Sequence, residues 1–162
     1  MAMLGFVTIT GTVQGSIEGS STHEINMDEI EILKFDHHIE VPGGSQQQVN
    51  AGQPIHGGIK INKLKDRSSP KLAQALCTRE VLSEVIFSWY QHTGNGTREL
   101  AYKVVLRNAL LTKINTWSPH FFDNHESAFR IMEDVVFSYE HIQWSWGNES
   151  EVEYEITAKG AQ

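Results

Sequence analysis

With 162 residues, 40% of them hydrophobic, the chain can bury the core of one globular domain, which excludes an intrinsically disordered protein. Its formal charge of −7 argues against sequence-independent nucleic-acid binding, and no apolar run approaches the roughly 18 residues of a membrane span. The first residues carry no basic region ahead of their apolar residues, which predicts folding in the cytoplasm without a cleaved signal peptide.

The first forty residues show two strand-like patterns. Residues 4–14 alternate between apolar residues and threonines, so we expect a strand with Val13 on its buried face. Residues 29–40 also alternate, but the apolar residues change phase near Leu33. One inserted residue reverses the facing of everything after it, so this pattern predicts a β-bulge near Leu33.

Residues 41–53 contain Gly, Pro and three consecutive glutamines and show no apolar periodicity. A loop of this length within a compact domain is often functional, and we expect it to serve as an arm that reaches a partner. A third strand is predicted at 54–64, with Ile55 in phase with the later isoleucines of the same stretch.

Residues 66–77 are the one convincing helix. Ser69 followed by Pro70 is a common helix start, and one narrow stripe of the helix is apolar. The single cysteine, Cys77, lies beside that stripe, so we expect a buried and unreactive thiol. Since it cannot form an internal disulfide, it agrees with a reducing compartment.

The second half of the chain is dominated by a long hairpin at 83–116, in which two alternating runs flank a Gly-Asn-Gly turn. A long strand is predicted at 130–146, followed by a polar turn and by an alternating tail at 152–157 that is either a last strand or an ordered tail. The strand at 130–146 has apolar residues on both faces, which suggests that another copy of the chain covers part of its surface.

These elements predict a mainly β fold in a single domain over 1–162: a two-sheet β-barrel or sandwich with one short flanking α-helix. Residues 147–162 form the C-terminal turn and tail of this domain. A polar face is expected on the second strand, and it is either a solvated outer face or the lining of an aqueous channel in an oligomer. Its members are Lys34, Asp36, His38 and Glu40.

No catalytic, metal or cofactor signature is present. Eight histidines invite a metal site, but the sequence has no HxxxEH-like or CxxC spacing, and we predict none. One rival hypothesis is a hydrolase that uses His120, Asp123 and His125. A second rival is a monomeric barrel that binds a small ligand in an apolar pocket.

Several stretches together resemble the haemolysin-coregulated protein (Hcp) family, the tube subunits of bacterial type VI secretion systems. They occur in order at 9–15, 29–33, 66–77 (DRSSPKLAQALC), 93–96 (TGNG) and 132–144 (MEDVVFSYEHIQW). The resemblance runs from about residue 4 to residue 146.

This resemblance implies a ring-forming, non-enzymatic structural protein. Its hexameric rings would stack into a hollow tube that is assembled in the cytoplasm and secreted by contraction of a sheath. The implied partners are other copies of the chain, sheath and spike proteins, and effector cargo in the lumen; no cofactor, nucleic acid or membrane is implied. The family's protruding loop, which reaches a neighbouring subunit, corresponds here to Val41, Pro42, Gly43, Gly44, Gln46, Gln47, Gln48, Val49 and Asn50.

Overall fold

The computed structural model describes residues 3–42, 52–120 and 130–156. These residues form ten strands, one α-helix and one short 3-10 helix at Glu24–Asn26. In chain order the elements are β1 (Leu4–Gly11), β2 (Gly15–Ile17), β3 (Ile30–Ile32), β4 (Lys34–Glu40), β5 (Ile55–Leu64), α1 (Ser69–Cys77), β6 (Leu82–His92), β7 (Arg98–Trp117), β8 (Met132–Ser138), β9 (His141–Trp146) and β10 (Ser150–Glu155).

The strands form two antiparallel sheets that share β7. In sheet A, β1 pairs with β2, β3 and β6, then β6 pairs with the first half of β7, which pairs in turn with β9 and β10. In sheet B, the order is β4, β5, β8 and the second half of β7. The predicted mainly β fold with one flanking helix is therefore confirmed.

The chain passes from one sheet to the other at three breaks in strand regularity. The first lies at Leu33, which separates β3 in sheet A from β4 in sheet B, so the bulge predicted there is wrong. The second lies within β7 at Asn108, whose φ of 49° is in the left-handed region. The third is the Tyr139–Glu140 link between β8 and β9.

The predicted single strand at 130–146 is thus two strands that both lie along β7. Leu110 pairs with Ser138 and Arg107 pairs with His141, so the two strands continue in one direction across the break. The positions that contribute to the apolar core change from odd to even residue numbers there, since Tyr139 is buried before the break and Ile142 is buried after it. Part of the apparent two-faced apolar pattern therefore comes from the break and not from a surface that another copy must cover.

The predicted hairpin at the centre of the fold is confirmed as β6 and β7. Val85 lies opposite Leu106 and Phe87 opposite Val104, and all four side chains are buried. Cross-strand pairs of this kind are the main source of sheet stability. The Tyr154-containing tail is also a strand, β10, which pairs with β9.

The prediction that Ile55 faces the interior with the later isoleucines is wrong, because β5 contains a bulge. Two residues of β5, Gly57 and Gly58, oppose His38 alone, and Gly58 adopts a φ of 79°. The extra residue turns His56 towards the interior and leaves Ile55 51% exposed. A side chain at Gly58 would put its Cβ 2.9 Å from the carbonyl oxygen of Phe137, so glycine is required there.

Side chains from both sheets fill the interior. The largest apolar ones that are fully buried are Phe6, Phe87, Phe137, Ile9, Ile30, Ile59, Ile61, Leu72, Leu82, Leu106 and Ile142. Helix α1 contributes Leu72 and Ala75 to this core, as its apolar stripe predicts. Two expectations are wrong: Cys77 is exposed at the end of the helix, and Val13 is 86% exposed because β1 ends at Gly11.

No helix within the described ranges is long and apolar enough to cross a membrane.

Candidate assembly surface

The predicted polar face of the second strand lies on the outer side of sheet B. Lys34, Asp36, His38 and Glu40 alternate with inward residues along β4, and each side chain is more than half exposed. Lys34 Nζ lies 3.2 Å from Asp36 Oδ2, and His38 Nε2 lies 3.3 Å from Glu40 Oε2. Exposed pairs of this kind contribute only about 0–1 kcal/mol each, so they organise the surface more than they stabilise it.

The same face continues across the other strands of sheet B. Lys60 of β5 lies directly opposite Asp36, and Asn62 Nδ2 donates to Asp134 Oδ1 at 2.9 Å. The full face consists of Lys34, Asp36, His38, Glu40, Lys60, Asn62, Lys113, Asn115, Asp134 and Val136. Three lysines and three carboxylates interleave there, so the face carries no strong field of either sign.

Sheet B has two unpaired edges within the described ranges. Strand β4 pairs only with β5, and the second half of β7 pairs only with β8. Unpaired strand edges expose backbone donors and acceptors that can pair with another chain. The polar face therefore lies on a four-stranded sheet that a neighbouring copy can extend on either side.

The predicted inter-subunit loop connects β4 to β5 at one end of sheet B. Val41, which is 60% exposed, follows β4 directly, and the chain bends at Pro42. The remaining loop residues assigned to this contact, Gly43, Gly44, Gln46, Gln47, Gln48, Val49 and Asn50, lie outside the described residues.

A buried ionic cluster closes the opposite end of the interior, beside the start of α1. Lys63 Nζ, which is fully buried, lies 2.8 Å from Glu133 Oε2 and 3.0 Å from Asp66 Oδ1. Ser69 Oγ donates to the same Glu133 oxygen at 2.8 Å. Lys63 and Glu133 lie directly opposite each other on β5 and β8, so the cluster fastens the helix start to sheet B.

A histidine–tyrosine cluster closes the interior at the loop end. Tyr139 Oη lies 2.7 Å from His37 Nε2 and 2.6 Å from His56 Nδ1. Burial raises the pKa of the Tyr139 hydroxyl to about 12, so it remains protonated at neutral pH. Burial also lowers the pKa of both histidines, and the neighbouring His56 and His38 lower that of His37 further.

A carboxylate fixes the turn between β1 and β2. Glu80 Oε1 accepts hydrogen bonds from the backbone amides of Val13 and Gln14, both at 2.7 Å. Burial acts to raise the pKa of Glu80, but these amides and the Gln14 side chain bind the charged form, and the net result is a lowered pKa. The Val13 side chain is therefore exposed on a turn whose backbone amides are bound by the Glu80 carboxylate.

The residues that the structure describes complete the site of neither rival hypothesis. His120 is described, but Asp123 and His125 lie outside the described residues, so that trio remains a prediction. The described ranges hold no cluster of three or more His, Cys, Asp or Glu side chains that could bind a metal ion. The interior is filled by the apolar side chains of both sheets, which is typical of a small closed core rather than of a ligand cavity.

Most of the assembly surface and both end clusters were not predicted from the sequence. Alternation alone could have found Lys60 and Asn62, because they are out of phase with the buried isoleucines of β5. The partners Lys63–Glu133 and His37–Tyr139 are 70 and 102 residues apart in the chain, so no local pattern predicts their contact.

Comparison with known proteins gives consistent matches over nearly the whole chain. A family model described as "Type VI secretion system effector, Hcp" matches residues 6–146. The "Major exported protein" of Pseudomonas aeruginosa is 32% identical over 154 residues, which cover 90% of each chain.

Solved structures share the fold. Hcp3, a secreted protein of Pseudomonas aeruginosa, superposes with a TM-score of 0.78 and 26% identity, covering 97% of this chain and 100% of that one. Hcp1 from the E. coli EAEC 042 pathovar gives a TM-score of 0.84 at 23% identity, covering 96% of this chain and 100% of that one.

Proposed function

The chain belongs to the Hcp family, the tube subunits of type VI secretion systems, and from that premise we propose how this copy builds a tube. It is a structural subunit whose hexameric rings stack into a hollow tube that is exported. We propose that the outer face of sheet B lines the lumen and that the unpaired edges of sheet B meet between neighbouring subunits. The role is one of assembly, with no catalytic step assigned.

The composition of the sheet B face is the observation that carries this assignment. A lumen filled with water needs a polar lining, and this face presents ten mostly polar or charged side chains, among them Lys60 and Asp134. Because its charges interleave, six copies brought around one axis do not repel one another strongly. A lining with no strong field also suits passage of cargo of either charge.

Ring closure follows from the two edges of sheet B. A head-to-tail contact joins two different surfaces of the same subunit, and it closes into a ring when the rotation between subunits permits. We propose that β4 of one subunit meets the second half of β7 in the next, which supplies backbone partners to both edges. The segment 41–53 joins β4 to β5, and we propose that it reaches a neighbouring subunit.

The other partners are proposals from family membership. We expect a sheath around the tube, a spike at its end and effector cargo in its lumen, with assembly in the cytoplasm before export. The domain is proposed to span 1–162 as one unit, with 147–162 as its closing turn and tail.

Cysteine labelling tests which face lines the lumen. In a Cys77→Ser background, Asp36→Cys places a thiol on the outer face of sheet B, and Arg107→Cys places one on the outer face of sheet A. A bulky polymer maleimide should label both thiols in dissociated subunits. In stacked tubes it should label only Arg107→Cys, because the closed lumen excludes the polymer.

Equal labelling of both thiols in tubes would contradict the lumen assignment while leaving the tube itself intact. Negative-stain images of the purified chain test the assembly separately, since annuli with sixfold symmetry are expected. A monodisperse monomer at every concentration would contradict ring formation and favour the small-ligand rival. Deletion of 46–53 should leave a folded subunit with impaired stacking, and loss of folding would show that the segment belongs to the core.

A further inference from the structure

The histidine–tyrosine cluster joins four separate parts of the chain. His37 comes from β4, His56 from β5, Tyr139 from the link between β8 and β9, and Tyr154 from β10. His56 stacks on Tyr154 with ring centroids 5.2 Å apart and planes inclined by 14°. The cluster therefore ties the last described strand to the hairpin that carries the 41–53 loop.

Strand β10 has few other attachments. Within the described ranges it pairs only with β9, and all six of its residues are exposed. Val152 is 61% exposed and Tyr154 is 43% exposed, so β10 buries little apolar surface. Beyond its far end, the Ile156 side chain packs against the core and the Ile156 amide donates to the Glu140 carbonyl oxygen at 2.7 Å. Elements with so few buried contacts are the first to open by local unfolding.

The number of protons on the two imidazoles limits the states in which the cluster can form its hydrogen bonds. The Tyr139 hydroxyl has one hydrogen, and this hydrogen is bonded within the cluster only when it is donated to one ring nitrogen while the oxygen accepts from the other. This arrangement requires that at least one of His37 Nε2 and His56 Nδ1 carries no proton. When both imidazoles are protonated, two cations face one oxygen and the hydroxyl hydrogen has no acceptor on either ring.

No described acidic group compensates such a charge. Within the described ranges, no carboxylate oxygen lies within 4 Å of His37 or His56. The aromatic and phenolic groups packed against the two rings are Phe35 from β4, Tyr139, Trp144 from β9 and Tyr154 from β10. The charged side chains next to these groups in sequence are engaged elsewhere or alternate to the other face: Asp36 with Lys34, His38 with Glu40, Glu140 with Asn108, Glu153 with His141, and Glu155.

We propose that His37, His56 and Tyr139 form an acid-sensitive latch that is closed at neutral pH and opens when both imidazoles are protonated. Opening releases β10 from the base of the loop-bearing hairpin. The latch is a property of the single subunit, so it holds whichever way subunits assemble.

The sign of the pH effect follows from the histidine titration. Both histidines have a folded-state pKa below the usual 6.5, so the unfolded chain takes up protons first as the pH falls. The stabilising contribution is therefore complete above about pH 6.5 and is lost progressively below it.

Hydrogen exchange of the full chain tests the latch. Backbone amides of β10 are followed at about pH 7.5 and about pH 5, with correction for the intrinsic pH dependence of exchange. In the wild-type protein we expect their protection to fall about two- to tenfold at the lower pH, the factor that corresponds to the loss of one net hydrogen bond between Tyr139 and the imidazoles. His56→Gln should abolish that pH dependence, because glutamine can still bond Tyr139 but does not titrate.

His38→Gln is the matched control, because His38 lies on the same strand but faces the outer surface. It should keep the pH effect, with its onset displaced only towards higher pH, because His38 contributes the smallest of the three effects that lower the pKa of His37. Equal protection of β10 at both pH values in the wild type would overturn the latch, as would full retention of the pH effect in His56→Gln or its loss in His38→Gln.

Fluorescence gives a second measurement should His56→Gln fail to fold. Trp144 stacks on His37 with centroids 6.4 Å apart, and a protonated imidazole in such a position quenches indole emission. The difference between the wild type and Trp144→Phe should titrate with a midpoint below pH 6.5. A midpoint at or above 6.5, or no titration, would overturn the proposal.

Discussion

Replacing Lys63 by methionine removes the cation from the buried cluster at the start of α1. Lys63 is fully buried, and its Nζ contacts Glu133 Oε2 at 2.8 Å, Asp66 Oδ1 at 3.0 Å and the Leu64 carbonyl oxygen at 2.9 Å. In Lys63→Met the Glu133 carboxylate, which is also buried, loses the ammonium and keeps the Ser69 hydroxyl as its side-chain donor among the described residues. Breaking a buried ion pair from one side costs about 3–5 kcal/mol, because an uncompensated charge remains.

The reciprocal change should cost less. In Glu133→Gln the Lys63 ammonium retains Asp66 and the Leu64 carbonyl, so the loss is that of one charged hydrogen bond, about 1.5–3 kcal/mol. For a chain of this size, each kcal/mol corresponds to a shift in Tm of about 2–4 °C. We therefore expect Tm to fall by roughly 6–20 °C in Lys63→Met and by a smaller amount in Glu133→Gln.

Urea unfolding and calorimetry of both variants and of the double variant measure these costs. Because the two side chains are in contact, the double variant should be less destabilised than the sum of the singles, by about 0.5–3 kcal/mol. Lys34→Met is the control, since its surface pair with Asp36 should contribute less than about 1 kcal/mol. A Lys63→Met protein as stable as the control, or a costlier Glu133→Gln, would refute the reasoning.

Other perturbations address the turn, the bulge and the exposed thiol. Glu80→Gln should destabilise the fold by about 1–2 kcal/mol at neutral pH, because it weakens the bonds from two turn amides. The wild-type advantage should shrink as the pH falls below 4.5, since a carboxyl with a lowered pKa loses its stabilising contribution on protonation; an unchanged difference in acid unfolding would exclude this role. Gly58→Ala should lower Tm by several degrees, because its Cβ would meet the Phe137 carbonyl oxygen at 2.9 Å and its φ is positive, whereas Gly94→Ala, with open space around it, should be nearly neutral. The Cys77 thiol should react with a disulfide reagent in the dissociated native subunit at a rate close to that of the denatured chain, and a rate slower by orders of magnitude would contradict its exposure.

The assembly surface was only partly predictable from the sequence. The four polar residues of β4 were identified because strict alternation places them on one face, and that requires no knowledge of neighbours. Their companions Lys60, Lys113 and Asp134 lie on three other strands, and only the strand order of sheet B brings them together. The choice between a solvated face and a channel lining depends on other copies of the chain, so it remains a proposal.

The sequence by itself determined the β-rich domain, the central hairpin, the helix start at Ser69–Pro70 and the family, because these depend on local periodicity, on turn chemistry or on ordered motifs. Only the tertiary structure decided where the chain changes sheets: the alternation indicates an irregularity near Leu33 but not a change of sheet, and Asn108 looks like an ordinary strand residue until its neighbours are known. The same is true of the two polar clusters that close the interior. Burial of a lysine or a pair of histidines is tolerable only when partners from distant segments satisfy them, and those partners are set by the fold as a whole.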